Sequence, residues 1–130
     1  MEQQQKNKEF IINYLTAISG IPKTRAILET YIADEDLIAH IESFEAAFPR
    51  YEVYMDEMTS EGKRVVVQAR LKGTHQGDFG GLPPTYKTVD FPFAIRYEIE
   101  DNKIVSHWML ADRMGLMEQL GVLPAAEAVH

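Results

Sequence analysis

Two features of this chain of 130 residues predict an α+β fold: helix-spaced apolar positions fill the first half, and alternation with a period of two takes over from Tyr51. Helices first and four hairpin-linked strands after them imply a cone-shaped, strongly curved antiparallel sheet. It would wrap around about three amino-terminal helices and leave an interior cavity. The length suits a single domain, residues 1–130, with a real core.

Phe10, Ile11, Tyr14, Leu15 and Ile18 share one face of a first helix, which Ser19-Gly20-Ile21-Pro22 ends. Pro22 suits the first turn of a second helix, whose inner face is Ala26, Ile27, Tyr31 and Ile32. Asp34 is a good N-cap for a third, with Glu35 and Asp36 placed well for the helix dipole. Its inner face is Leu37, Ile41, Phe44 and Phe48, and Pro49 closes it.

A first strand is predicted from Tyr51 to Met58 and a second from Val65 to His75, turning at Ser60 to Lys63. The second puts Val65, Val67, Ala69, Leu71, Gly73 and His75 on one face. A Gly- and Pro-rich loop, Gly77 to Thr85, leads to a third strand, Thr88 to Glu100, with Phe91, Phe93, Ile95 and Tyr97 on its inner face. Pro92 implies an edge position or a bulge. A turn at Glu100 to Lys103 leads to a last strand, Ile104 to Asp112, then a short helix, Arg113 to Leu120, ended by Gly121.

Composition narrows the function. With 13 Lys+Arg against 20 Asp+Glu the formal charge is −7. That disfavours nucleic acid and membrane surfaces, both of which draw affinity from clustered cations. No cysteine means no disulfide, thiol nucleophile or thiolate metal site. The amino terminus is polar and no apolar run approaches the roughly 18 residues of a membrane span, so the expectation is a cytoplasmic protein. His40, His75, His107 and His130 show no ligand spacing, and no phosphate loop or dinucleotide fingerprint occurs. Neither metal nor cofactor is expected.

Two groups could carry chemistry. His75, within Gly73-Thr74-His75-Gln76-Gly77, either exchanges protons at a pocket mouth or is a hydrogen-bonded histidine of the sheet edge. On the last strand Ser106, Trp108, Leu110 and Asp112 alternate onto one face, and His107, Met109 and Ala111 onto the other. Taking the first face as the inner one, Asp112 beside Trp108 and Leu110 is a desolvated acid/base, or else it N-caps the helix after it. Tyr14, His40, Phe91 and Phe93 are further candidates for the lining of the pocket.

The chain resembles the SnoaL-like polyketide (ester) cyclases, of the nuclear-transport-factor-two-like, cystatin-like superfamily. The resemblance rests on Ala47-Phe48-Pro49, Gly73 to Phe79, Gly81-Leu82-Pro83-Pro84-Thr85, Asp101 to Val105, Trp108, and Asp112 to Gly121. It implies an intramolecular aldol-type cyclisation, or a related isomerase or hydrolase reaction, on a small hydrophobic carbonyl compound without a cofactor. It also implies Asp112 as acid/base, His75 as a pocket histidine, and a homodimer through the sheet. The chain departs from the family pattern at Leu110, where a polar partner is usual, and at Tyr86 and Asn102, where glycine is. A non-catalytic binding or dimerisation module of the same fold is the alternative.

Overall fold

In a computed structural model describing residues 2–122, so that His130 lies outside them, helices α1 (Glu2–Ile18), α2 (Arg25–Tyr31) and α3 (Glu35–Ala47) precede four strands. These are β1 (Glu52–Glu61), β2 (Arg64–Thr74), β3 (Thr88–Glu100) and β4 (Lys103–Ala111), and α4 (Arg113–Gln119) follows. The strands form one antiparallel sheet in the order β1-β2-β3-β4.

Helix α1 begins eight residues before its apolar stripe. Its polar first turns are anchored because Asn7, 3% exposed, donates to the Gly62 carbonyl at 3.2 Å, and Ser60 Oγ donates to the Gln4 carbonyl at 3.2 Å. Helix α2 starts at Arg25 rather than near Pro22, because the Thr24 hydroxyl accepts from Ile27 N and caps it. Its buried residue is Leu28, and Ala26 is exposed. Asp34 caps α3 as expected, accepting from Asp36 N at 3.0 Å and Leu37 N at 3.2 Å.

Strand β2 alternates buried and exposed along Arg64 to Lys72, and β3 keeps Val89, Phe91, Ile95, Tyr97 and Ile99 inward. On β4 the expectation is corrected. Ile104 is fully buried opposite Ile99, but Ser106 pairs with Glu98, so Val105 is an extra residue. This bulge reverses the alternation beyond it. Met109 and Ala111, opposite Ile95 and Phe93, therefore face inward. Trp108 and Leu110 face outward, 54% and 64% exposed.

Tyr86 (φ 60°) and Asn102 (φ 59°) both hold left-handed backbone, which accounts for a glycine preference at the two turns. Two apolar clusters form the interior: one between α1–α3 and the middle of the sheet, the other around Phe48, Leu71, Val89, Phe91, Leu116 and Leu120.

Candidate functional site

A cavity of about 300 Å³ lies where the two clusters meet. Its walls are apolar: Leu15, Ile18, Leu37 and Ile41 from the helices, and Leu71, Phe91, Phe93 and Ile95 from the sheet. His40 and Ser43 on α3, Gly80 in the loop and Arg113 on α4 line it while remaining exposed, so they mark its mouth. Gln119 holds α4 there: its amide accepts from Asp90 N at 2.6 Å and donates to Asp90 O at 2.9 Å.

Three buried tyrosines, Tyr14, Tyr51 and Tyr97, also line the cavity. None of their hydroxyls is hydrogen-bonded to protein among the described residues, and none is among the sealed orphan atoms His75 Nε2 and Arg96 Nε. As lining residues without a protein acceptor among the described residues, they can offer the cavity their hydroxyl donors. Burial pushes all three well above the ordinary phenol range. Tyr97 and Tyr51 push Tyr14 further, Glu45 acts on Tyr51, and Tyr51 on Tyr97. Tyr51 is set in place by buried Lys23, whose ammonium lies 3.9 Å from its ring centre and donates to its carbonyl at 2.7 Å. Desolvation lowers the Lys23 pKa against the pull of Glu45, 3.4 Å away.

The histidines divide by role. His40 is lowered from its ordinary value by desolvation first, then by His107 and Arg113. His107, turned inward by the bulge, places Nδ1 2.7 Å from Asp34 Oδ2, so the cap of α3 also orients a second imidazole near His40. Alternation alone missed this pair. An Asp cap followed by the odd residues of β4 was its only trace in the sequence.

His75 and Asp112 lie outside the cavity lining. His75 is fully buried, stacked 5.3 Å from Phe48. Its Nδ1 accepts from Thr85 N at 3.0 Å, leaving the proton on Nε2, and its backbone bonds Lys87 O and Tyr86 N. It staples the glycine-rich loop closed. Asp112 is exposed and caps α4, Oδ1 accepting from Gly115 N at 2.9 Å. Asp112→Ala is therefore expected to lower stability by about 1 kcal/mol in urea unfolding while leaving ligand affinity unchanged. A tenfold loss of affinity would return Asp112 to the site. Of the residues singled out from sequence, Tyr14, His40, Phe91 and Phe93 line the cavity. Trp108 and Leu110 do not, since the bulge turns them to the opposite face.

The family model of the SnoaL-like polyketide cyclases matches residues 23–120, from the buried lysine before α2 to the end of α4. The chain belongs to the SnoaL-like polyketide cyclase family. Solved structures agree in fold. A candidate SnoaL-like polyketide cyclase from Jannaschia sp. CCS1 superposes with a TM-score of 0.79 and 26% identity, over 93% of this chain and 95% of its own. AclR, a candidate hydroxylase from Streptomyces galilaeus, gives 0.79 and 23% over 96% and 90%. TsrD from Streptomyces laurentii gives 0.74 and 22% over 89% and 95%. Among curated proteins none matches this SnoaL-like chain. Relatives whose names span hydroxylase and cyclase share its fold, so its activity has to be argued from the cavity. No helix among the described residues is long and apolar enough to cross a membrane.

Proposed function

We propose that the cavity binds a small hydrophobic carbonyl compound and closes a ring in it by an intramolecular aldol-type step, with His40 as general base. One observation carries this reading. Every lining side chain that can make a hydrogen bond is a donor or an imidazole: Tyr14, Tyr51, Tyr97, Ser43, Arg113 and His40. Donors without protein acceptors suit an oxygen that gains negative charge during reaction. A His40 that resists protonation is a free base at neutral pH. In this scheme His40 takes a proton from the carbon next to a carbonyl, and a tyrosine hydroxyl donates to the resulting enolate oxygen. The enolate carbon then bonds to a second carbonyl carbon of the same molecule, and the alkoxide formed recovers the proton from His40. The product is an isomer of the substrate, so neither oxidant nor reductant is required.

The position of Asp112 at a helix cap supports a second reading, a binding module without turnover. Native mass spectrometry of the protein with a panel of aromatic and polyketide-like diketones separates the two. Wild type is expected to bind and transform a member, with a new retention time at unchanged mass. Tyr97→Phe is expected to weaken binding about tenfold, the loss of one buried donor. A ligand bound by wild type and returned chemically unchanged would end the catalytic reading in favour of the second. The same spectra address the homodimer through the sheet, which belongs to this proposal. Tyr54, Val66, Trp108 and Leu110 are exposed and share the outer face of the sheet. A dimer that Trp108→Glu dissociates supports it, and a monomer at micromolar wild type overturns it.

A further inference from the structure

Resting on the cavity reading above, the polarity of that cavity goes further and points to the charge and size of its ligand. The chain carries 20 Asp+Glu against 13 Lys+Arg, yet no Asp or Glu is among the cavity lining. The fixed charge there is a cation, Arg113. Among the described residues Arg113 makes no ion pair, which is equally true of Arg50, Lys72 and Arg96, but of these it alone lines the cavity. Its neighbour Asp112 directs Oδ1 to Gly115 N and makes no ion pair with it among the described residues. Arg113 also opens the first turn of α4, where a cation opposes the helix dipole, so its placement is not explained by helix stability.

A guanidinium at the mouth of an apolar cavity, without a carboxylate partner among the described residues, is suited to a ligand carboxylate, which it can hold through two parallel hydrogen bonds. The volume limits what hangs from that carboxylate. About 300 Å³ is at the small end of ligand cavities. A cavity of that size favours a ligand of one or two rings over three or four fused ones. We infer that the ligand is a compact keto acid of one or two rings, its carboxylate on Arg113 at the mouth and its ketone oxygen among Tyr14, Tyr51 and Tyr97 inside.

Isothermal titration with 4-oxo-4-phenylbutanoic acid, its amide, butyrophenone and pyrene-1-carboxylic acid tests this against wild type, Arg113→Gln and Arg113→Lys. Arg113 is exposed, so these variants are expected to fold, and circular dichroism checks it. The expected result is that the acid binds wild type at least tenfold tighter than the amide or butyrophenone. Arg113→Gln should bring the acid down to the affinity of the amide, Arg113→Lys should keep part of the preference, and the pyrene acid should not enter. Equal binding of acid and amide, or an acid preference that survives Arg113→Gln, overturns the carboxylate assignment. Tight binding of the pyrene acid overturns the size limit. In either case, butyrophenone binding that weakens in Tyr97→Phe leaves the cavity reading standing. Failure of all four to bind wild type removes that reading and this inference together.

Discussion

Replacing His40 with Gln is expected to lower turnover by roughly 10²–10⁴-fold, the usual contribution of a positioned general base, with a much smaller effect on ligand affinity. The residue is exposed at the cavity mouth, so the loss should come without unfolding. The pH profile makes the expectation sharper. Desolvation, His107 and Arg113 all disfavour the imidazolium, so the folded pKa lies below the ordinary 6.5. The acid limb of the rate should therefore be centred below 6.5. Stability follows with the same sign. Between the folded pKa and 6.5 the unfolded chain binds more protons at this residue, so folding stability is lost as pH drops through that window. His40→Gln should remove that part of the slope. An acid limb centred at or above 6.5 in wild type, or a variant within twofold of its rate, would take His40 out of the base role.

Gly77→Ala is expected to be the most damaging small change in the fold, lowering stability by about 3 kcal/mol. The strand end at Gln76 and Gly77 docks on the last turn of α3, both amides donating to Ala47 O at 2.9 and 3.1 Å. A Cβ on Gly77 would lie on the Ala46 carbonyl oxygen, and only 3.1 Å from its carbon. The obstacle is backbone held in a helix, so it cannot swing aside. Gly73→Ala should be milder, because its added Cβ meets side-chain carbons at 3.1 and 3.3 Å. Urea unfolding of the two variants beside wild type would measure both. A Gly77→Ala loss under 1 kcal/mol would show that the loop can lift off α3, and His75 would then not be the staple described above.

Where periodicity was uninterrupted, the sequence was a reliable guide. The inner faces of β2 and β3 follow from strict alternation, and the Asp34 cap and the apolar stripe of α3 follow from residue type and spacing. The polar start of α1 was illegible because the partners that hold it, Gly62 and the Gln4–Ser60 contact, are more than fifty residues away in the chain. The site was half legible for a similar reason. Tyr14, His40, Phe91 and Phe93 sit on elements whose phase never slips, and they line the cavity. Trp108 and Leu110 sit beyond Val105, where one extra residue exchanges the two faces of β4.

The sequence by itself determined the α+β class, the order of helices and strands, the family and the acidic balance, because these depend on local pattern and composition. Only the tertiary structure decided which face of β4 meets the cavity and which residues share it. The bulge at Val105 follows from pairing with β3, and it turns His107 toward Asp34 and Trp108 outward. The meeting of Tyr14, Tyr51 and Tyr97 joins three elements far apart in sequence. The capture of Asp112 by Gly115 N is a contest between two possible hydrogen-bonding environments, and packing of α4 against β3 settles it in favour of the cap.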